Sequence, residues 1–412
     1  MSEIDNKLNL RLSISENTIY IEATMKNKLF IIILCISNFI LSDEWINITS
    51  SIEKSPNISV EEYDGNNTTL VFDLPGFNTK KVNINNQNFE IISFPTSAAN
   101  LEYGYPDLPT ISKSILVPNN ALMNVEVLEQ EYVEYKNILI APSKGNLSRN
   151  IDPASVNYFF NDIYLSNNTY PENEVSLREP YILRDFRGQA ITFQPFSYDF
   201  EQKVLKVYTH MKVRVYEAGI DNRNILRNKT VTAIDKEYND IYNNHFINFN
   251  HQSTRFDYLV DHGGMLIISF GGFIDTMQPL VDWKNKKGIP TEIVDVASIG
   301  SSASSIENYV ENYYNNNDLT FLLLVGDIAQ IPSPSVSGSS SDVSYGCISG
   351  GDFYPEVIVG RFSGSNPSQI QTQVERSIDY EKYPQDGVEW YDNALGVASN
   401  QGPGFGGYTD DD

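Results

Sequence analysis

Hydrophobic and polar residues alternate along short segments between residues 60 and 218, and Pro, Gly and Asn interrupt these segments. In the clearest one, residues 205–215, Leu205, Val207 and Met211 fall on one face, opposite lysine and histidine side chains. A period of two predicts a strand with one buried face. Similar alternation predicts strands at residues 69–74, 81–85, 89–94, 114–118, 124–132 and 190–196. The succession favours an antiparallel β-sandwich over residues 60–218.

The pattern weakens over residues 219–256, which are rich in asparagine and polar throughout. Such a composition predicts a linker between two domains. Three arginines in this stretch, Arg223, Arg227 and Arg255, would be accessible to a trypsin-like peptidase. They are the candidate processing sites.

From residue 265 onward, apolar strand-like segments alternate with helical patterns. The predicted helices are one that ends at Gly288, one with a capping box of Ser304 and Glu307, and one that Asn366 and Pro367 open. The predicted strands are residues 265–270, 291–296, 321–327, 356–362 and 394–399. Because the segment 321–327 is continuously apolar, both of its faces should be covered by helices. The pattern indicates an open α/β sheet within residues 257–390.

The composition supports a globular, multidomain chain. Its 412 residues are 41% hydrophobic, which is enough for two or three cores. The formal net charge of -24, from 53 acidic and 29 basic residues, would repel polyanions. Nucleic acid is therefore not an expected partner.

Residues 25–42 have the features of a secretory signal peptide. Basic residues follow Met25, an apolar run covers residues 29–41, and Ser42 stands at the exit. The run is too short for a stable membrane span. We expect a secreted or cell-surface protein, in which residues 1–24 are a spurious or extra extension. Cleavage near Ser42 would leave Cys347 as the one cysteine, so no internal disulfide is expected.

Two groups of residues are candidates for chemistry. Asp327 follows a predicted strand, and Asp342 and Asp352 lie in the next Gly- and Ser-rich loops, so their oxygens could bind calcium or could cap turns. Cys347 is a candidate thiol nucleophile, but the four histidines offer no obvious basic partner, which favours a buried or loop cysteine. No GxSxG, HExxH or P-loop lysine motif occurs. Motifs alone reveal no active site.

Several longer segments carry more information than these short motifs. Within residues 257–412 they are LVDWKNKKGIPTEIVDV, TFLLLVGDIAQIP, SDVSYG, GGDFYPEVIVGRF, DYEKY and ALGVASNQGPG. Together they resemble the gingipain-type cysteine peptidases. Upstream, YGYPDLP, PYILRDFRG and QPFSYDF resemble the pro-domain of that family. The resemblance implies an exported zymogen: a β-sandwich pro-domain that blocks the cleft, a first α/β subdomain, and a caspase-like subdomain of which residues 391–412 are the start.

The resemblance also implies where the chemistry lies. The family's catalytic histidine, in a Gly-His-Gly motif, and its nucleophilic cysteine would both follow residue 412, so this chain alone should hydrolyse no peptide. Gln401 stands where some members carry a glutamate that supports the histidine, and Asp412 where arginine-preferring members bind the substrate's basic side chain. The implied partners are protein or peptide substrates and the pro-domain's own catalytic domain. Calcium would stabilise the fold, and the chemistry would need no cofactor.

Two other functions remain alternatives. The chain could be a non-enzymatic surface or interaction protein that keeps the pro-domain and the first subdomain, and the gene sequence beyond codon 412 would distinguish this from a peptidase. A phosphate-binding α/β enzyme is the third hypothesis. It is disfavoured because Gly271–Phe273 is too short a glycine-rich loop to hold phosphate.

Overall fold

A computed structural model of the chain describes residues 9–15, 18–25, 28–32, 44–148, 151–227, 233–251, 259–336, 338–385 and 387–388. The first three strands form an antiparallel sheet in the order β1-β2-β3. They are β1 (Asn9–Ser15), β2 (Thr18–Met25) and β3 (Lys28–Ile32). The predicted signal peptide overlaps β2 and β3, and its residues 33–42 lie outside the described residues. Among the described residues, no helix is long and apolar enough to cross a membrane.

Residues 44–220 form three antiparallel sheets. Their orders are β4-β7-β8, β12-β13-β9 and β11-β14-β15-β6-β5, with β10 paired to β15. The strands are β4 (Glu44–Asn47), β5 (Asn57–Tyr63), β6 (Thr68–Asp73), β7 (Gly76–Ile84), β8 (Gln87–Ser93), β9 (Ile111–Leu116), β10 (Ala121–Lys136), β11 (Thr169–Tyr170), β12 (Val175–Leu183), β13 (Phe186–Phe193), β14 (Phe196–Asp199) and β15 (Val204–Ile220). The strand predicted at residues 190–196 is divided between β13 and β14, because Pro195 has no amide hydrogen to continue the ladder.

The sheets share one hydrophobic core. The apolar positions predicted along residues 205–215 are fully buried on β15, as the period of two indicated. Phe72 of β6 stacks on Phe193 of β13 with ring centroids 5.2 Å apart, which joins two of the sheets. The β-rich architecture of this half is therefore built on the alternation in the sequence.

The stretch 219–256 is not a simple linker, and that prediction is wrong. It contains β16 (Ala233–Asp235), α1 (Lys236–His245) and a 3-10 helix at Phe249–His251. Tyr238, Tyr242 and Phe246 are buried at intervals of four residues and pack against the β12-β13 hairpin. At Gly188 of that hairpin a Cβ atom would lie 2.6 Å from the Phe246 ring, so the glycine permits the close approach. The asparagines on the exposed face of α1 concealed this apolar stripe.

Residues 259–385 form the α/β unit. Its parallel sheet has the order β19-β18-β20-β23. The elements are β17 (Leu259–Asp261), β18 (Gly264–Ser269), α2 (Ile274–Lys286), β19 (Thr291–Asp295), α3 (Val296–Ile299), α4 (Ala303–Asn316), β20 (Leu319–Val325), β21 (Ser335–Val336), β22 (Ser339–Ser340), β23 (Ile358–Phe362) and α5 (Pro367–Lys382). Further 3-10 turns occur at Pro153–Ser155, Asp162–Leu165, Gly271–Phe273 and Asp342–Gly346.

Helices cover both faces of this sheet. Helices α2 and α5 pack on one face, and α3 and α4 pack on the other. The mixture of strands and helices predicted for this region is present, and Asn366 caps α5 as predicted by accepting a hydrogen bond from the Gln369 amide at 3.1 Å. The predicted capping box at Ser304 is wrong, because Ser302 caps α4 through the Ser305 amide. Residues 391–412, the predicted start of the next subdomain, lie outside the described residues.

Candidate functional site

The tip of the β12-β13 hairpin penetrates the α/β unit. Arg184 and Asp185 form its turn, and Arg184 has a φ of 49°, in the left-handed region. The side chain of Arg184 is only 4% exposed. A buried guanidinium at a hairpin tip needs several partners, because its charge has left water.

Arg184 finds these partners at the amino ends of the parallel strands. Its Nη1 donates to the backbone carbonyl oxygens of Leu319, at 2.6 Å, and Glu356, at 2.8 Å. Its Nη2 donates to a carboxylate oxygen of Asp235 at 2.7 Å and to one of Asp318 at 3.2 Å. Leu319 begins β20, and Glu356 lies just before β23. The hairpin tip therefore contacts two neighbouring strands of the sheet at the same edge.

The surroundings of Arg184 are closely packed. Its guanidinium lies 4.7 Å from the centroid of the Tyr238 ring, within cation–π range. The Thr320 hydroxyl donates to Asp235 and accepts from Arg184 at 3.3 Å. A Cβ atom at Gly263 would overlap the Thr320 side chain and lie 2.6 Å from the Asp235 carboxylate, so only glycine fits there. The polar contacts at this tip are thus well ordered by packing.

A second contact lies along the side of the hairpin. The Ile182 amide donates to a carboxylate oxygen of Asp352 at 2.9 Å. The Tyr181 ring stacks on Tyr354 at 4.0 Å, and its hydroxyl lies 2.6 Å from Nε2 of His245. Burial lowers the pKa of His245, which favours its neutral form. Loop residues after β20 thus hold the strand that leads to the tip.

Glu356 is a fully buried carboxyl group beside this contact. One oxygen accepts from the amides of Ile348, at 2.7 Å, and Ser349, at 2.9 Å. The other oxygen has no hydrogen-bond partner among the residues that the structure describes. Burial, with a contribution from the Asp352 charge, raises the pKa of Glu356 to about 7. The group therefore titrates near neutral pH.

The three aspartates predicted to bind calcium each contact a different group. Asp342 forms a two-pronged ion pair with Arg361, both contacts at 2.7 Å, and this hydrogen bonding lowers the pKa of Asp342. Asp327 accepts from the Ile328 amide at 2.8 Å, whereas Asp352 contacts the hairpin. Within the described ranges, no group of three or more His, Cys, Asp and Glu side chains could hold a metal ion. The trio does not form one calcium site.

Cys347 is poorly suited to act as a nucleophile. Burial, and then the carboxylates of Glu356 and Asp352, raise the pKa of its thiol. Its sulfur lies 3.8 Å from the carbonyl oxygen of Val343. A raised pKa favours the unreactive thiol over the thiolate.

The candidate processing arginines differ in access. Arg223 pairs with both oxygens of Asp221 at 3.0 Å, and its carbonyl oxygen accepts from Arg187 Nη2 at 3.0 Å. A peptidase would have to break these bonds to bind the Arg223 peptide in an extended form. Arg227 is exposed and lies at a cleft of about 1050 Å³ between the hairpin and the end of α4. Arg255 lies outside the described residues.

Sequence reasoning missed the residues that make the interface. Arg184 was included in the sequence analysis only as part of the segment PYILRDFRG, which was noted for its family resemblance. Its contact with Leu319 joins positions that are 135 residues apart in the sequence. The sequence feature that could have indicated this contact was a pair of charged residues at the turn of a β-hairpin. The two predicted substrate-binding residues, Gln401 and Asp412, lie outside the described residues.

Comparison with known families matches both halves of the chain. Residues 49–255 match Propeptide_C25, and residues 259–412 match Peptidase family C25. Gingipain R1 of Porphyromonas gingivalis is 37% identical over 314 residues, which cover 74% of this chain and 31% of that protein. Gingipain R2 of the same species (strain ATCC BAA-308 / W83) is 36% identical over 310 residues, 73% of this chain and 41% of that protein. The chain thus spans less than half the length of these relatives.

Solved structures give related matches. A complex of the pro- and mature domains of Porphyromonas gingivalis RgpB is 29% identical, with a TM-score of 0.45, and the match covers 48% of this chain and 100% of that one. The Arg-specific cysteine proteinase gingipain R is 37% identical, with a TM-score of 0.32 and coverage of 36% of each chain. With a propeptide match over half of its length and a peptidase match over residues 259–412, the chain belongs to the gingipain-type cysteine peptidase precursors.

Proposed function

We propose that the protein is the zymogen of a secreted cysteine endopeptidase. In this proposal the β-rich part is a β-sandwich pro-domain, and residues 257–390 are the first α/β subdomain of the peptidase. Residues 391–412 begin a caspase-like subdomain, and the reactive cysteine and histidine follow residue 412. The observation that carries the proposal is the buried tip of the β12-β13 hairpin, through which the propeptide half is held on the peptidase half.

The chemistry follows from the family. A cysteine thiolate would attack the peptide carbonyl carbon, the histidine would protonate the departing amine, and water would release the acyl group. The described residues supply the scaffold for these groups. Cys347 is not proposed as the nucleophile, because its surroundings raise the pKa of its thiol.

Substrate choice and calcium belong to the same proposal. We infer a protein or peptide substrate, with Gln401 near the catalytic histidine and Asp412 as a binding residue for a basic side chain. Replacing Asp412 with Asn in the active enzyme should then reduce kcat/KM for arginyl substrates more than for uncharged ones. Structural calcium stays an expectation from the resemblance, and the trio Asp327, Asp342 and Asp352 does not supply a common site for it.

The test uses the gene product that extends beyond residue 412. After activation by limited trypsin digestion and complete inhibition of the trypsin with a serine-peptidase inhibitor, it should hydrolyse casein, and alkylation with iodoacetamide should abolish the activity. A processed product that stays inactive would favour the alternative, a non-enzymatic surface or interaction protein. Activity that survives alkylation would contradict the cysteine mechanism.

N-terminal sequencing of the digestion products tests the processing site in the same experiment. We expect cuts at Arg227 or Arg255, because the Arg223 peptide is held by Arg187 and Asp221. A first cut at Arg223 would show that these bonds open readily.

A further inference from the structure

We propose that the tip of the β12-β13 hairpin, centred on Arg184, is a clamp that retains the pro-domain on the peptidase after the connection between them is cut. The proposal rests on the proposed zymogen function and names the site that holds the two parts together. Its partner is the amino edge of the parallel sheet, formed by the starts of β20 and β23.

The clamp lies at the edge of the sheet opposite the one where open α/β sheets bind ligands, so it could retain the pro-domain without itself blocking that edge. Arg184 binds carbonyl oxygens at Leu319 and Glu356, both at the amino ends of strands. Open α/β sheets bind ligands at the carboxyl ends of their strands. The seven residues of β20 (Leu319–Val325) place about 20 Å between these two edges. The clamp therefore contacts the amino edge of the parallel sheet and leaves its carboxyl edge free.

The chemistry of the clamp requires an arginine. Its planar guanidinium donates at the same time to two backbone carbonyl oxygens and to the carboxylate of Asp235. A lysine ammonium cannot reproduce this forked geometry. Removing the side chain would leave buried acceptors unpaired, which is more costly than losing an exposed ion pair.

The clamp would persist when the chain is cut at Arg255. Residues 252–258 lie between Phe249–His251 and β17, and β16 pairs in parallel with β17 across this interval. A cut there leaves Asp235, at the end of β16, on the pro-domain side but still next to Thr320 of the peptidase half. Hydrolysis of one peptide bond thus breaks neither the β16-β17 pairing nor the Arg184 contacts.

The experiment uses the full 412-residue chain with residues 252–258 replaced by the recognition sequence of a specific protease. After cutting, size-exclusion chromatography and analytical ultracentrifugation over a dilution series measure whether the two parts remain together. The unsubstituted chain should stay associated. Arg184→Ala should weaken retention by about 100-fold, because it leaves the buried carbonyl oxygens of Leu319 and Glu356 unpaired, and Arg184→Lys should weaken it by about 10-fold.

The matched control is Arg178→Ala, which removes an exposed arginine of the same hairpin that contacts Thr192 at 3.3 Å. It should change retention by less than about 2-fold, as surface contacts do. If Arg184→Ala prevents folding of the pro-domain, Asp352→Ala in the peptidase loop decides instead. Loss of its bond to the Ile182 amide should weaken retention by about 10-fold.

Three outcomes would overturn the clamp proposal. The two parts of Arg184→Ala could stay associated as tightly as those of the unsubstituted chain, or Arg184→Ala and Arg178→Ala could weaken the association equally. The two parts of the unsubstituted chain could also separate as soon as the connection is cut. If only Asp352→Ala can be measured, unchanged retention overturns it. None of these results decides whether the extended gene product is a peptidase, because its casein hydrolysis is measured separately.

Discussion

Replacing Glu356 with Gln should remove a pH dependence from the stability of the chain. Burial raises the pKa of this carboxyl to about 7, against an ordinary value of 4.5. The folded protein therefore binds the proton more tightly than the unfolded chain does. The stabilisation is fully present below about pH 4.5 and is lost as the pH rises through about 7.

The size of the effect follows from the two pKa values. Between about pH 5.5 and pH 8, the wild-type protein should lose about 2 kcal/mol of unfolding free energy through this group. Three neighbouring groups also act on this pKa: the charge of Asp352 raises it further, and the neutral backbone amides of Ser349 and Ile348 lower it. A glutamine can still accept from those amides, but it carries no charge at either pH. About 2 kcal/mol corresponds to roughly 4–8 °C in Tm for a unit of this size.

Thermal unfolding at the two pH values measures the effect. The Tm of Glu356→Gln minus the Tm of the wild-type chain should be roughly 4–8 °C larger at about pH 8 than at about pH 5.5. The control is Glu375→Gln, since Glu375 is exposed on α5, where it accepts a hydrogen bond from Gln371 at 2.8 Å. A Tm difference for Glu356→Gln that is the same at both pH values would refute the reasoning.

Two further substitutions test other parts of the structure. Tyr242→Ala should lower the unfolding free energy by about 3–5 kcal/mol, because the ring is fully buried. Ile241→Ala, at a side chain 37% exposed on the same helix, should lower it by less than about 1 kcal/mol. Urea denaturation followed by circular dichroism compares the two variants, and equally small effects would favour the linker interpretation. Asp342→Ala should cost about 1–3 kcal/mol, because the half-buried Arg361 loses its carboxylate partner and keeps only its bonds to neighbouring oxygens such as the Gly326 carbonyl. EDTA should not reproduce this loss in the wild-type chain, and a matching loss of Tm with EDTA would indicate that Asp342 acts through calcium.

The strands were predictable where one physical signal dominated. On β15 the side chains alternate between the core and solvent, so the period of two was sufficient to assign both the strand and its buried face. The continuous apolar run of β20 likewise indicated a strand covered on both faces, and helices lie there. The strands β5 and β12 were missed because charged residues, such as Glu61 and Glu62 of β5 and Arg178 and Glu179 of β12, weaken their alternating pattern.

The helix α1 and the clamp could not be predicted in the same way. In α1, the Asn and Asp residues suggested a loop. Tyr238 and Tyr242 lie on one face of the segment, and burial of that face stabilises the helix. For Arg184, the sequence indicates a turn and a charge, but the strands whose carbonyl oxygens it contacts, at Leu319 and Glu356, lie more than 130 residues further on. Only the folded arrangement brings Leu319 and Glu356 to one point.

The most direct test of the account is the peptidase activity of the 412-residue chain itself. If the reactive groups lie downstream, the purified chain should hydrolyse no casein before or after cutting of its connection, and Cys347→Ser should behave in the same way. Casein hydrolysis by this chain that disappears in Cys347→Ser would contradict the account.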